Sequence, residues 1–122
     1  MDILLLLTLF QIKHYFSDFV VQTYTQTVYK GKYGNPIGMS HSLDHIVTSM
    51  LILWIYSFFY PIVILSIVYI PILEGIIHYH IDWIKVKFGS KDINSSLFWN
   101  QFGLDQLAHQ LTYISVVYYI CL

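Results

Sequence analysis

The sequence is dominated by four long apolar segments, separated by short stretches rich in polar residues, glycine or proline. They cover residues 3–24, 40–60, 61–88 and 97–122. Each is long enough for the roughly 20-residue helix that crosses the hydrocarbon core of a bilayer. The apolar runs do not alternate as exposed strands do, and open sheets are not stable in lipid. The sequence therefore predicts an all-α fold, a single integral membrane domain over residues 1–122 built as an up-down bundle of four transmembrane helices.

Composition agrees with a membrane protein. Hydrophobic residues make up 57% of the chain and charged residues 11%, whereas soluble domains carry about 25% charged residues. The net charge of -1 and the lack of a basic patch in the sequence indicate no nucleic-acid partner. Membrane lipids are the expected partners, and a homo-oligomer is compatible with the sequence.

The lysines predict the orientation in the membrane. Lys30 and Lys32 follow the first segment, and Lys85, Lys87 and Lys91 lie at the end of the third. The connection between the second and third segments has no lysine. Because basic loops stay on the cytoplasmic side, we expect a multi-pass protein of the inner, cytoplasmic membrane with both termini outside.

Ionisable residues recur four positions apart in every segment, which places them on one face of each helix. They are His14 and Asp18 in the first segment, His41 and His45 in the second, Glu74, His78 and Asp82 in the third, and Asp105 and His109 in the fourth. In an up-down bundle these positions share one end. The four polar stripes are therefore predicted to meet in one layer near the cytoplasmic side.

Such a layer favours a metal site. A charged carboxylate at mid-membrane costs about 2.5–3.5 kcal/mol, so these groups must be paired, protonated, hydrated or bound to a cation. Imidazole and carboxylate together suit Zn²⁺, Mn²⁺ or Fe²⁺, and helix bundles can build two-metal sites from them. Two adjacent metal ions can activate water and hold the leaving oxygen. This favours a metal-dependent hydrolase whose substrate is lipid-like or membrane-associated, such as a lipid phosphate ester.

We assign roles within the layer as follows. The predicted ligands of one or two divalent ions are Asp18, His45, His78, Asp82, Asp105 and His109. His14 is a further ligand or a proton shuttle. Glu74, one turn deeper than His78, is a ligand, a general base or a buried protonated acid.

Other polar residues receive supporting roles. Gln22 and Gln106 are predicted to orient ligands, and His80 lies too far round its helix from His78 to join them. Lys85 either reaches the headgroups, pairs with Asp82 or holds a phosphate. Lys13 is predicted to face away from the polar stripe and to pair within the bundle.

Three motifs in this chain resemble the DUF3307 family, small integral membrane proteins of bacteria and phages. The motifs are H-x3-DF-x2-Q (His14, Asp18, Phe19, Gln22), H-x-H-x-D-x2-K (His78, His80, Asp82, Lys85) and DQ-x2-H (Asp105, Gln106, His109). The resemblance supports the fold and the choice of residues. It also implies that His45 is the family's histidine at the start of the second helix, that His41 and Asp44 are local additions, and that Lys30 is the basic residue after the first helix. It implies no particular reaction.

Three other interpretations remain open. The stripes can form a structural polar network that holds the helices in register. They can serve a proton- or cation-coupled transporter or channel subunit as a relay. The chain can also be a non-catalytic phage membrane factor that acts on the host envelope or its defences.

Overall fold

The computed structural model describes residues 2–121, and within that range the chain forms helices and no strands. The elements are α1 (Ile3–Tyr15), a π-helical segment (Phe16–Val21), α2 (Tyr24–Tyr29), α3 (Pro36–Ser57), α4 (Ser66–Phe88) and α5 (Ser96–Cys121). The predicted all-α class is confirmed.

The four long helices pack around a common interior. α1 contacts α3 and α5, and α4 contacts the same two helices. Neighbouring helices run in opposite directions. The hydroxyl of Tyr56, late in α3, donates to the carbonyl of Asp2 at 3.0 Å, and Tyr69, early in α4, donates to Tyr119, late in α5, at 2.6 Å. One end of the bundle therefore carries both polar connections, α1 to α3 and α4 to α5.

The first predicted helix, residues 3–24, is shorter and less regular than expected. After α1 the chain continues directly into the wider π-helical segment, which ends at Val21. The Thr23 side chain then caps α2 by accepting from the Gln26 backbone N–H, and the Gln26 side chain accepts from the Thr23 backbone N–H. The sequence did not predict α2, because six residues are too few to show a helical pattern.

The predicted starts of the second and third helices were also wrong. α3 begins at Pro36 rather than at residue 40, because the Asn35 side chain accepts from the first free backbone N–H groups and proline suits the first helical position. α4 begins at Ser66 rather than at residue 61. Pro61 disfavours helical geometry in the residue before it, so the chain leaves α3 and turns before re-entering a helix.

Gly75 allows α3 and α4 to approach each other closely. A Cβ atom at this position would overlap the Ile46 side chain. This close approach brings the polar faces of the two helices together, since His78 and Asp82 follow on the same helix.

The interior divides into an apolar half and a polar half. Within the described range, nine hydrophobic side chains are buried in the apolar half, late in α3 and α5 and early in α1 and α4. They are Leu6, Phe10, Leu53, Tyr56, Ile70, Tyr113, Val116, Val117 and Ile120. Fifteen polar or charged residues are buried among residues 2–121, and most lie in the half that adjoins the polar connections.

The outer surface is largely apolar. Forty large hydrophobic side chains are exposed among the described residues. One helical stretch, Ile3–Val21, is long and apolar enough to cross a membrane. Among residues 2–121, hydrophobic residues thus outnumber polar ones at exposed positions, and polar residues outnumber large hydrophobic ones at buried positions.

Candidate metal centre

Asp18 occupies the π-helical segment, and its carboxylate points into the polar half of the bundle. Its Oδ1 lies 2.7 Å from His45 Nε2, 3.1 Å from His41 Nε2 and 3.6 Å from His78 Nε2. Its Oδ2 lies 3.4 Å from His14 Nε2. Single π-helical turns insert an extra residue into a helix and recur at functional sites. Here the turn brings one carboxylate to histidines from α1, α3 and α4.

Asp82 on α4 contacts a second set of histidines, and its two oxygens approach different members of that set. Oδ2 lies 3.2 Å from His78 Nε2 and 3.3 Å from His41 Nε2. Oδ1 lies 3.5 Å from His109 Nε2. The Asp82 carboxylate is buried. Its contacts with these histidines join α3, α4 and α5 at one point.

Asp105 and His109 complete the cluster from α5. Asp105 Oδ1 and His109 Nε2 are buried 3.6 Å apart, and neither atom has a hydrogen-bond partner within residues 2–121. The other oxygen of Asp105 accepts from Lys85 Nζ at 3.0 Å. Two buried polar atoms that lack a hydrogen bond are costly, and a cation between them would satisfy both.

These residues form three overlapping groups whose ligand atoms lie within 4.8 Å of one another. The groups are His14, Asp18, His45 and His78; then His41, His78 and Asp82; then Asp82, Asp105 and His109. His78 is shared by the first two groups and Asp82 by the last two.

The spacing of the donor atoms suits a divalent ion. His41 Nε2 and His78 Nε2 are 3.2 Å apart, and their distances to the Asp18 and Asp82 oxygens are 3.1–3.6 Å. Ligands at about 2.0–2.1 Å from a tetrahedral zinc ion are about 3.3 Å from one another. These buried histidines and aspartates can therefore hold a metal ion with little rearrangement.

The structure brings the six sequence-predicted ligands together. Asp18, His45, His78, Asp82, Asp105 and His109 all belong to the three groups. His14 joins the first group. Glu74 does not join any of them. Its carboxylate accepts hydrogen bonds from Lys13 and Ser49, and its Oε1 lies 4.0 Å from His45 Nδ1.

His41 was placed in the predicted polar stripe but was not among the six predicted ligands. It was interpreted as a local addition, yet its side chain is fully buried and its Nε2 approaches both Asp18 and Asp82. The available signal was its spacing of four residues from His45, which places both on one face of α3.

Lys13 lies elsewhere than predicted, and Lys85 has an ion-pair partner that was not among its predicted alternatives. Lys13 does not face away from the polar stripe, because its ammonium group is buried against Glu74 on α4. The predicted pairing of Lys13 within the bundle is confirmed. Lys85 pairs with Asp105 rather than with Asp82, whose Oδ2 instead accepts from Lys30 Nζ at 3.1 Å.

Neutral polar groups hold the histidines. Gln22 Nε2 lies 2.9 Å from His41 Nε2. His14 Nε2 lies 3.0 Å from Gln106 Oε1, and His14 Nδ1 lies 2.9 Å from the Tyr113 hydroxyl. With the Gln106 oxygen as acceptor, His14 carries its proton on Nε2 and accepts from Tyr113 at Nδ1. His80 lies outside the cluster, against the Tyr33 hydroxyl at 3.2 Å, in agreement with its predicted position.

Comparison with known proteins identifies the family and no nearer relative. No curated protein and no solved structure matches the chain. The family model described as "Protein of unknown function (DUF3307)" matches residues 6–122. This range includes every residue of the three metal-ligand groups. The chain therefore belongs to the DUF3307 family.

Proposed function

We propose that this protein is a multi-pass integral membrane protein that binds divalent metal in its polar half and hydrolyses a membrane-associated substrate. The observation that carries the proposal is the convergence of carboxylates and imidazoles from α1, α3, α4 and α5 and the π-helical segment on one buried cluster. Ionisable residues inside a membrane bundle face the interior and mark functional sites.

The membrane location is supported by the apolar exterior. On α3, Leu43, Val47 and Leu51 form an exposed row at intervals of four residues. On α5, Leu107 and Leu111 form a similar exposed pair. Water would not tolerate so much exposed apolar surface on a small domain. The histidines and carboxylates that lower the mean hydropathy of these helices are the residues buried inside.

The donor sets support two metal positions. Asp18, His41 and His78 surround the first, with His45 beside them. Asp105 and His109 surround the second. Asp82 presents one oxygen to each set and would bridge the two ions. Mixed imidazole and carboxylate ligands favour Zn²⁺, Mn²⁺ or Fe²⁺ over Mg²⁺ or Ca²⁺.

The residues around this centre suit hydrolysis. A pair of divalent ions would lower the pKa of a bound water and hold the leaving oxygen. In such a hydrolysis the water oxygen would bond to the phosphorus or acyl carbon, the bond from that atom to the ester oxygen would break, and one proton from the water would pass to the departing oxygen. His14 is the candidate proton carrier, because it touches Asp18 and is held by Gln106 and Tyr113. Glu74 supports the centre as a paired carboxylate beside His45.

A transporter relay is a weaker interpretation of the same cluster. A proton or ion path must continue to the other end of the bundle. Beyond Lys13 and Glu74, the described interior is closed by apolar side chains that include Leu6, Phe10 and Leu53. The polar groups are therefore concentrated at one end of the bundle, which suits a reaction centre better than a path.

The proposal is tested by the metal content of the protein. The chain is purified in detergent without added metal, and bound metal is measured by elemental analysis. We expect one to two equivalents of a transition metal or zinc in the wild type and a large loss in His78→Ala. His80→Ala is the matched control, because it removes an imidazole from the same helix outside the cluster. Less than one equivalent in the wild type, unchanged in His78→Ala, would refute the proposal.

A further inference from the structure

Two cavities meet at Lys85, beside the second metal position. One is a chamber of about 590 Å³ between α2 and the connection from α4 to α5, lined in part by Lys85, Lys91 and Gln101. The other is a groove of about 330 Å³ between α4 and α5, lined in part by Lys85 and Asp105. Of the residues in the three ligand groups, Asp105 alone lines either cavity.

The chamber is suited to an anion. Its described lining includes two lysines and no carboxylate. Thr27, Ser90 and Gln101 add polar groups to its wall. Lysine ammonium groups bind phosphate oxygens through charge-assisted hydrogen bonds. Because Lys85 also pairs with Asp105, Lys91 supplies most of the positive charge in this lining, which favours a negatively charged group of the size of a phosphate or larger.

The groove is suited to a hydrocarbon chain. Apart from Lys85 and Asp105 its wall is mostly apolar, with Ile84, Phe88 and Leu104 among the lining residues. These three side chains are also exposed on the outer surface of the bundle. In a bilayer the groove therefore opens sideways toward the acyl chains of lipids.

Lys85 connects both cavities with the cluster. Its Nζ donates to Asp105 Oδ2 at 3.0 Å and lies 4.5 Å from the centre of the Phe102 ring. Asp105 lines the groove and also belongs to the third ligand group. A group bound at Lys85 is thus a direct neighbour of the second metal position.

We propose that the chamber and the groove together bind a lipid whose headgroup ends in a phosphate, with the phosphate at Lys85 and Lys91 and an acyl chain in the groove. The lipid source follows from the joining of a cationic chamber to an apolar groove that opens on the lipid-facing surface. As a substrate assignment this rests on the proposed function. As a binding site it stands on the two cavities alone.

The test compares lipids of similar charge. The protein is placed in nanodiscs of phosphatidylcholine that contain either phosphatidic acid or phosphatidylglycerol, and co-purifying lipid is measured after detergent extraction. We expect about a tenfold preference for phosphatidic acid, because a terminal phosphate offers more charge-assisted bonds than a phosphodiester. A parallel titration with inorganic phosphate is expected to show much weaker binding, because it lacks the acyl chain.

Variants locate the site. Lys85→Gln is expected to abolish most of the preference, and Lys91→Gln, at an exposed position, to lower it by about two- to fivefold. Lys87→Gln is the matched control, since Lys87 lies over the Trp83 ring and lines neither cavity. Lys85→Gln also leaves Asp105 without its lysine partner and can therefore impair folding. Lys91→Gln does not touch Asp105, so it tests the site even if Lys85→Gln does not fold.

The outcomes separate this inference from the metal proposal. Metal-free protein should retain the preference for phosphatidic acid, because the lysines supply the binding. Retained preference without any metal binding would overturn the proposed function and leave the lipid site standing. Metal binding with no preference between the two lipids would overturn the lipid site. Tight inorganic phosphate binding with no lipid preference would assign the chamber to a soluble phosphate and overturn the lipid assignment.

Discussion

Asp82 Oδ1 lies 3.5 Å from His109 Nε2, while Oδ2 of the same carboxylate lies 3.2 Å from His78 Nε2. One buried carboxylate thus joins the two halves of the cluster. Carboxylates that bridge two metal ions present one oxygen to each of them. This arrangement predicts that Asp82 and Asp105 differ in their effect on metal content.

Asp105→Asn should remove one ion and keep the other. Asp105 belongs to the third ligand group alone, whereas Asp82 belongs to the second and the third. For a two-metal centre, elemental analysis should therefore fall from about two equivalents to about one in Asp105→Asn, and well below one in Asp82→Asn. Asp92→Asn is the control, because Asp92 is exposed in the connection between α4 and α5.

The order of these losses is the decisive result. Equal metal content in Asp82→Asn and Asp105→Asn would contradict a bridging role for Asp82. Unchanged content in both would mean that any metal found lies outside this cluster.

Removal of the metal should destabilise the protein. The cluster gathers three aspartates and five histidines from separate helices, so an ion bound there would be held only by the folded state. At a hundredfold excess over the dissociation constant, an ion stabilises the native state by about 2.7 kcal/mol. We expect EDTA to lower the thermal midpoint in detergent by roughly 10 °C, and added Zn²⁺ or Mn²⁺ to restore it.

The same thermal measurement on a variant supplies the control. His109→Ala should be less stable than the wild type in metal and nearly insensitive to EDTA, whereas His80→Ala should respond to EDTA as the wild type does. A wild-type midpoint that neither EDTA nor added metal changes would exclude a bound ion as a source of stability.

The sequence predicted the cluster better than the ends of the helices. Residues four apart share a face in any α-helix, so the stripes of His78 with Asp82 and Asp105 with His109 followed from spacing alone. Antiparallel packing then brought them to one end. Helix ends depend on local bonds, such as the Asn35 cap of α3, which are difficult to rank from one sequence.

The contribution of Lys30 depended on structure that periodicity does not reveal. α2 is six residues long, and its Gln26 side chain bonds Ser40 and Asp44 on α3. This short helix places Lys30 over Asp82, where a loop lysine was expected. The π-helical turn likewise determines where Asp18 points, and no simple sequence pattern marks such a turn.

The buried ion pair between Lys13 and Glu74 should be sensitive to loss of one partner. Both side chains are almost completely excluded from solvent, and the Ser49 hydroxyl donates to the same carboxylate. Lys13→Met leaves the Glu74 charge unpaired and should lower the free energy of unfolding by about 3–5 kcal/mol. Unfolding of the detergent-solubilised protein by increasing SDS measures this change.

The double variant distinguishes a lost charge partner from lost packing. Lys13→Met with Glu74→Gln removes both charges and keeps a hydrogen-bond partner for Ser49, so most of the lost stability should return. Lys32→Met is the control, because Lys32 lies at the surface over the Tyr29 ring and should change little. A double variant as unstable as Lys13→Met would show that the packing of the lysine chain, rather than its charge, is what matters.

The two polar connections lie at one end of the bundle, so a membrane protein with this fold must expose both on the same side. Single cysteines at Lys32 and at Asp92, in a Cys121→Ser background, should react alike with a thiol reagent that cannot cross membranes. By the distribution of lysines, both should be protected in intact cells and labelled in inverted vesicles. A cysteine at Phe59, in the connection from α3 to α4, should show the opposite pattern. Labelling of all three positions in intact cells would contradict the proposed topology.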